Sequence, residues 1–274
     1  MSEEVTARLT AALRGYEIAR VHILGYYDQS TVSVDWKADQ TPVTAADRGA
    51  EEILRDFLAK EFPDDAVLGE EFGEREGTSG FRWVLDPVDG TKSFIARVPL
   101  FGTLIGLEHR GKSVAGICGL PPLDEVVYAA KGSGTWWKRG HAPPRRCEVT
   151  RTAKLSDALF SFTSIGAWES AGRLGTLQHF TRTCRLTRGW GDCFGHILVA
   201  TGRADVMIDP QMNLWDAAAL VPILEEAGGH FVDFGGEPRA DGGSGISVNA
   251  ALKDEVLKAL TVGVGAAGTR TRID

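Results

Sequence analysis

The segment Trp83-Val-Leu-Asp-Pro-Val-Asp-Gly-Thr-Lys-Ser-Phe94 decides how this chain is interpreted. Its apolar beginning predicts a strand that ends at Asp86, and Pro87 then restricts the backbone to a tight turn. We expect the turn to present Asp89 on the same side as Asp86. Two carboxylates would then face one space.

The residues that follow supply a different kind of binding group. The carbonyl of Val88 is expected to lie exposed between the two carboxylates. Gly90 and Thr91 come at the predicted start of a helix, where free N–H groups and the helix dipole favour an anion. Magnesium prefers this mixture of carboxylates, a carbonyl and phosphate oxygens. An ordinary surface turn remains the alternative, because Asp, Pro and Gly are common turn residues.

Three further acidic signals occur elsewhere in the chain, and each also has an ordinary explanation. Gly69-Glu70-Glu71 follows a short apolar strand, but it could be a solvated glutamate pair. Asp216, after Trp215, begins an apolar helical segment, where capping alone would explain it. Thr44-Ala-Ala-Asp47 reads as a helix start with a charged outer face. One shared metal site explains all of them more economically than separate surface roles do.

Composition narrows the class of protein. The chain has 274 residues, 43% hydrophobic content and a formal net charge of −7. This acidic balance argues against a broad nucleic-acid or anionic-membrane surface. The four cysteines contain no CxxC pair, which favours reduced thiols over a disulfide framework. No signal peptide or membrane-spanning run is recognisable, so the sequence predicts a soluble, cytoplasmic protein.

Hydrophobic periodicity predicts an alternation of helices and strands in two halves. Residues 1–140 would form an α+β half that carries the metal-binding motifs. Residues 141–274 would form an α/β half that completes the metal and substrate site. The basic, proline-containing stretch Lys138–Arg146 is the predicted boundary.

Taken in order, these motifs resemble the inositol monophosphatase family, a lithium-sensitive group of metal-dependent phosphatases. The matching segments cover most of the chain: Pro42-Val-Thr-Ala-Ala-Asp47, Gly69-Glu70-Glu71, Asp86-Pro-Val-Asp-Gly-Thr91 and Trp215-Asp-Ala-Ala218. The resemblance implies an α/β fold layered as an αβαβα sandwich. It also implies two or three Mg²⁺ ions in each active site, and relatives are commonly homodimers.

The resemblance assigns roles to individual residues. The implied ligands, shared between two metal ions, are Glu70, Asp86, the carbonyl of Val88, Asp89 and Asp216. Asp86 would bridge the two ions, and the N–H groups of Gly90 and Thr91 would contact the phosphate. A metal-activated water near Glu70 and the Thr91 hydroxyl is the expected nucleophile, with Asp47 orienting Thr91 and accepting the proton. This chemistry needs no covalent phosphoenzyme. Lys37 is a further candidate to approach the phosphate.

Other residues suggest which phosphate ester is used. Lys92-Ser-Phe94 and Arg188-Gly-Trp-Gly-Asp192 resemble the bacterial histidinol-phosphate phosphatase branch. Histidinol phosphate carries an ammonium and an imidazole, so Asp192 and Asp209 could pair with it and Trp190 could stack on the imidazole. Asp192 could instead cap a helix, and Trp190 could be a packing residue. His196 is expected to be structural and Cys193 to be a packing residue.

Two alternatives stay open at this point. Asp209 occupies the position that resembles the hydroxyl-binding acid of the inositol enzymes, so an inositol-1-monophosphatase or a broad sugar-phosphate phosphatase is the second candidate. A catalytically weak binding or regulatory protein is the third. The complete acidic set speaks against the third candidate, because such a protein would be expected to have lost some of these positions.

Overall fold

A computed structural model describes residues 2–29, 33–36 and 42–262 of the chain. Two long helices, α1 (Glu3–Tyr27) and α2 (Ala45–Glu61), begin at the residues that the sequence favours as caps. The Ser2 side chain accepts from the Val5 N–H, and Thr44 forms a capping box with Asp47. The two helices pack on each other with their apolar faces turned to a large sheet.

This first sheet has eight strands in the order β10-β9-β8-β7-β6-β5-β3-β4. The short pair β1 (Val34–Trp36) and β2 (Pro42–Thr44) precedes it. All neighbouring pairs in the eight-stranded sheet are antiparallel except β3 and β5, which are parallel. Its strands are β3 (Ala66–Gly69), β4 (Gly73–Arg75), β5 (Phe81–Asp89), β6 (Gly102–His109), β7 (Lys112–Leu120), β8 (Glu125–Ala130), β9 (Thr135–Arg139) and β10 (Arg145–Cys147).

The second sheet has five strands in the order β12-β11-β13-β15-β14. Its strands are β11 (Leu159–Ser161), β12 (Leu186–Arg188), β13 (Val206–Asp209), β14 (Gly229–Val232) and β15 (Gly245–Asn249). The remaining helices are α3 (Thr91–Ile95), α4 (Ile165–Ser170), α5 (Leu174–Thr183), α6 (Asp192–Ala200), α7 (Leu214–Ala217), α8 (Leu220–Glu226) and α9 (Lys253–Ala259).

Helices cover both sheets in five layers. Helices α1 and α2 form one outer layer, and α6, α7 and α8 lie between the sheets. Helices α6 and α8 contact strands of both sheets, and α7 contacts β5 and β6 of the first. Helices α5 and α9 cover the outer face of the second sheet. The predicted α/β, αβαβα sandwich is confirmed. The middle layer places α6 and α7 directly beside the end of β5.

Strand β5 is buried on both faces because helices lie above and below it. Trp83 and Leu85 point to the core under α1 and α2, whereas Val84 points to the middle layer. An almost continuous apolar run is the expected sequence of such a strand. The strand therefore delivers its polar end into the interior of the molecule.

Several elements differ from the sequence prediction. Residues 138–146 run from the end of β9 through a turn into β10, and the first strand of the second sheet begins at Leu159, so the predicted boundary between two halves stays a prediction. Helix α9 is an element that the sequence did not predict. The apolar helical segment expected from Asp216 onward is divided into α7, which begins at Leu214, and α8. The four cysteines are free and buried.

Within residues 2–29, 33–36 and 42–262, no helix combines the length and apolar character that crossing a bilayer requires.

A buried ion pair joins α1 to the sheet. Arg8 makes two hydrogen bonds of 2.8 Å to Asp65, and its guanidinium lies 3.8 Å from the centroid of the Phe81 ring. Asp65 also accepts from Ser79 Oγ at 2.7 Å and from Trp83 Nε1 at 3.0 Å. The pair therefore anchors the beginning of β5, the strand that carries the acidic segment.

We predict that Arg8→Met destabilises the protein by about 3–5 kcal/mol, because Asp65 would remain buried without its cation. The matched control is Arg14→Met, which removes an exposed pair with Glu61 and should cost under about 1 kcal/mol. Urea unfolding measures both changes. Equal losses in the two variants would contradict the anchoring role of Arg8.

Candidate metal centre

A bulge in β5 places Asp86 and Asp89 on the same side. Asp86 pairs with Leu104 of β6, and Asp89 pairs with Gly102, so three steps along β5 match two steps along β6. In a regular strand, residues three apart point to opposite faces. The extra residue reverses this alternation. The segment is thus a bulged strand, where the sequence predicted a tight turn.

Asp216 completes the cluster from the middle layer. Carboxylate oxygens of Asp86, Asp89 and Asp216 all lie within 4.8 Å of one another. The Asn213 N–H donates to Asp216 Oδ2 at 2.7 Å, so Asp216 is the third residue of α7 in a capping box. The cluster therefore joins the first sheet to the middle helices.

Small residues allow α7 to approach the sheet so closely. A Cβ atom on Gly106 would lie 2.8 Å from Ala218 Cβ, and one on Gly116 would lie 2.0 Å from the Ala219 carbonyl oxygen. Larger residues at these positions would push the chain that carries Asp216 away from the sheet. The alanines after Asp216 thus have a packing function besides helix formation.

Glu70 lies in the same cleft as the three aspartates. The turn that carries it is fixed by Glu51, a fully buried carboxylate of α2 that accepts from the N–H groups of Glu71 and Phe72. Arg55 balances the charge of Glu51 at 2.7 Å. Gly69 must lack a side chain, because a Cβ there would lie 1.9 Å from Glu51 Oε1.

The electrostatics of the cluster fit a cation site. Burial and the charges of Glu70, Asp89 and Asp216 raise the pKa of Asp86 well above its usual value. Burial and the neighbours Asp192 and Asp216 do the same to the pKa of Asp89. Burial, opposed by the Asn213 N–H, raises the pKa of Asp216 to about 6. Carboxylates are hard oxygen donors, and these carboxylates repel one another when no cation lies between them. Such a set of donors is suited to a divalent cation.

Thr91 and Asp47 lie at the edge of this cluster. The Thr91 hydroxyl is 3.2 Å from Asp47 Oδ1 and 3.1 Å from the Val88 carbonyl oxygen, both of which are acceptors. Burial, opposed by hydrogen bonds from Thr44, raises the pKa of Asp47 to about 6. Because of this raised pKa, Asp47 can take up a proton near neutral pH.

Gly90 adopts a left-handed φ of 83° and starts α3 without a side-chain cap.

The cluster opens into two adjoining clefts. The larger, about 310 Å³, is lined by the predicted ligands and by Gly90, Thr91 and Lys92. The second, about 170 Å³, extends from Asp89 to Asp192 and Asp209. One molecule could thus place a phosphate against the cluster and its alcohol portion in the second cleft.

The predicted substrate residues are only partly brought together. Asp192 and Asp209 both line the second cleft. Asp192 is the first residue of α6 and makes no capping bond, since Gly191 is the N-cap. Trp190 lines neither cleft, and its carbonyl accepts from Ser161 Oγ at 2.6 Å. Lys37 lies outside the described residues.

The structure also reveals site residues that the sequence analysis left without a role. Thr163 and Lys92 line both clefts, and Lys92 is the cation that lowers the pKa of Asp192. Lys92 stood in the quoted segment, so its position next to Thr91 was a usable signal. Thr163 and Glu51 gave no such signal, because their roles depend on contacts between elements that are distant in sequence.

Comparisons with known proteins agree with this geometry. The sequence profile described as the inositol monophosphatase family matches residues 1–263. The chain belongs to this family. A histidinol-phosphatase from Chlorobaculum parvum is 39% identical, over 93% of this chain and 97% of its own. A histidinol-phosphatase from Mycobacterium tuberculosis is 37% identical, over 95% and 99%.

The fold comparison leads to the same family. The solved structure of an inositol monophosphatase from Zymomonas mobilis is 32% identical and has a TM-score of 0.81, covering 96% of this chain and 100% of that one. The chain is therefore a phosphoric monoester hydrolase with the fold of the inositol monophosphatases. The acidic cluster lies in a cleft that can hold a metal.

We predict that the metal-free protein loses stability as pH rises from about 4 to about 7. The folded-state pKa values of Asp216, about 6, and Asp192, about 7, lie above the unfolded value of about 3.9, so the native state takes up protons more readily. Melting temperatures in a chelator should therefore be higher at pH 5 than at pH 8. Added Mg²⁺ should raise them most at pH 8, where the carboxylates are charged.

Asp216→Asn tests the source of this effect. It should raise the melting temperature of the metal-free protein at pH 8 by a few degrees, on the order of 1–2 kcal/mol, and reduce the gain from Mg²⁺. Asp56→Asn, at an exposed position on α2, should change neither value. A lower melting temperature together with an undiminished Mg²⁺ gain in Asp216→Asn would refute the repulsion argument.

Proposed function

We propose that this enzyme is a Mg²⁺-dependent histidinol-phosphate phosphatase. The carrying observation is that the second cleft presents two carboxylates, Asp192 and Asp209, outside the predicted metal ligands. Similarity to histidinol-phosphatases over nearly the full length of both chains supports the same substrate. Hydrolysis of a phosphate ester with a positively charged alcohol portion would use the acidic cluster for the phosphate and the two carboxylates of the second cleft for the alcohol portion.

The metal ligands proposed here are Glu70, Asp86, the Val88 carbonyl, Asp89 and Asp216. Raised pKa values within the cluster support this set, because carboxylates that repel one another gain stability from a cation. Bound Mg²⁺ would supply neutralisation of phosphate charge and a lowered pKa for water. These ligands would hold two or three Mg²⁺ ions in each active site.

The remaining steps belong to side chains of the enzyme. Glu70 and the Thr91 hydroxyl would orient a water for in-line attack on phosphorus. The proton of the water would pass through Thr91 to Asp47, whose pKa of about 6 suits a base near neutral pH. The phosphorus–oxygen bond to the alcohol then breaks, and the departing alkoxide takes up a proton from solvent to leave as the alcohol. Backbone N–H groups of Gly90 and Thr91 would hold the phosphate oxygens.

The cationic alcohol portion would occupy the second cleft. Burial and the neighbours Asp209 and Asp216 raise the pKa of Asp192 to about 7, and Lys92 opposes this shift only in part, which supports a further cationic partner for the carboxylate. A ligand ammonium or imidazolium would supply one and form a charge-assisted hydrogen bond. Trp190 remains a proposed stacking partner, although it lines neither cleft.

Inositol 1-phosphate is the second candidate substrate. An inositol-1-monophosphatase from Mesorhizobium japonicum is 32% identical over 84% of this chain. Asp209 could accept hydrogen bonds from ring hydroxyls as readily as from an ammonium. Asp192 supports the cationic ester, because an ammonium or imidazolium would stabilise its charged form in addition to Lys92, which a neutral polyol would not do. For the enzyme as a whole, we also propose that it forms a homodimer and acts in the cytoplasm.

A substrate panel with Mg²⁺ tests the proposal. Among histidinol phosphate, inositol 1-phosphate and fructose 1,6-bisphosphate, we predict the highest kcat/KM for histidinol phosphate. Asp192→Asn should raise KM for histidinol phosphate about tenfold or more, because it removes a charge-assisted hydrogen bond, and should affect the inositol ester far less. The control Asp56→Asn should leave both values unchanged. Preference of the wild type for inositol 1-phosphate would reject the proposed substrate.

The catalytic roles have their own test. Thr91→Val should lower kcat about 100-fold or more, the usual contribution of a proton relay, whereas the exposed Thr181→Val should not. In ¹⁸O-labelled water the wild type should place the label in inorganic phosphate. Label in the alcohol product would show cleavage on the other side of the ester oxygen and contradict the mechanism.

A further inference from the structure

Five polar groups form a continuous hydrogen-bonded chain between the second sheet and the second cleft. His196 Nδ1 is 2.7 Å from Ser247 Oγ, and His196 Nε2 is 3.3 Å from Asp209 Oδ2. The Thr163 hydroxyl donates to the same Asp209 oxygen at 2.8 Å. The Asp192 N–H donates to Thr163 Oγ1, also at 2.8 Å. The chain joins α6, β13 and β15 to the loop after β11.

One arrangement of protons gives every donor in this chain an acceptor. With a charged Asp209 and a neutral His196, Nε2 donates to Asp209 Oδ2 and Nδ1 accepts from the Ser247 hydroxyl. His196 and Ser247 are both fully buried. Asp209 Oδ2 is therefore held on the protein side, by His196 and Thr163. Both of these hydrogen bonds use Oδ2, so Asp209 Oδ1 can make other contacts.

Asp192 is held in an uncommon backbone conformation. Its φ of 51° lies in the left-handed region, which costs a non-glycine residue on the order of 1–3 kcal/mol unless surrounding contacts enforce it. The N–H bond to Thr163 is one such contact. Gly191 is another, because a Cβ there would lie 2.2 Å from Thr163 Cα. Thr163 thus supports the backbone on which Asp192 stands.

This conformation directs the Asp192 carboxylate to the metal side of the cleft. A Cβ atom on Gly90 would lie 3.1 Å from Asp192 Oδ2, so the carboxylate reaches the turn that is proposed to hold the phosphate. Relaxation of Asp192 to a negative φ would redirect both its side chain and the start of α6. The position of the carboxylate therefore depends on the residue that holds its N–H group.

We propose that Thr163 is a positioning residue for substrate specificity. Its single hydroxyl accepts from the Asp192 backbone and donates to the Asp209 carboxylate, and it thereby fixes the spacing of the two acidic groups around the alcohol portion. This inference rests on the proposed histidinol-phosphate activity. It assigns Thr163 no contact with the reacting phosphate.

Thr163→Val removes both hydrogen bonds at nearly constant volume and is the main test. The ratio of kcat/KM for histidinol phosphate to kcat/KM for inositol 1-phosphate should fall at least about tenfold, mainly through KM for histidinol phosphate. Thr163→Ser keeps the hydroxyl and should restore the ratio to within about threefold of wild type. A purely structural role would lower activity on both esters equally.

A double-mutant cycle with Asp192→Asn asks whether Thr163 acts through Asp192. In the Asp192→Asn background, Thr163→Val should cause much less additional loss of the ratio, because the charge it positions is already gone. Full additivity of the two effects would overturn the inference. If Thr163→Val does not fold, Thr163→Cys takes its place, since a thiol is a weak donor and acceptor of similar size.

The outcomes separate this inference from the proposed function. A wild type that does not prefer histidinol phosphate rejects the proposed function itself. A wild type with that preference, combined with an unchanged ratio in Thr163→Val, rejects only the role of Thr163.

Discussion

Repulsion among clustered carboxylates is the constraint on which the rest of this structure depends. Asp86, Asp89 and Asp216 lie within 4.8 Å of one another, where each disfavours ionisation of the others. Stabilising contacts elsewhere in the fold must offset the free energy of this repulsion. Apolar layers on both faces of β5 and the Arg8–Asp65 pair hold the strand in place.

Close backbone contact keeps the same carboxylates together. The bulge in β5 aligns Asp86 with Asp89, and Gly106 and Gly116 let the alanines after Asp216 rest on the sheet. Dense packing of this kind resists local expansion, because any separation would open a void between sheet and helix. Such packing favours a site whose carboxylates are already arranged before a ligand binds. A preorganised arrangement of charge is what transfer of a phosphoryl group to water requires.

The two clefts are built from different parts of the fold. The first sheet and α3 supply most of the groups that line the larger cleft, whereas β13 with the loop after it, α6 and the loop after β11 supply most of those that line the second. Asp192 and Asp209 thus lie on elements other than β5, and the Asp192 carboxylate reaches across to Gly90. This separation gives a physical reason why one fold can serve several phosphate esters, as the names of its relatives indicate.

The sequence by itself indicated alternating helices and strands and proposed the acidic set, because the apolar period of each segment and the short motifs are local properties. The layered arrangement was implied by the resemblance of those motifs to the inositol monophosphatase family. The same reasoning could not distinguish a turn from a bulge at Pro87, since both bring Asp86 and Asp89 to one side. Tertiary structure alone decided the environment of Asp192. Its left-handed backbone and its link through Thr163 to Asp209 arise from contacts among segments that are up to 46 residues apart. No local sequence pattern predicts such contacts, because they depend on how the middle helices pack between the two sheets.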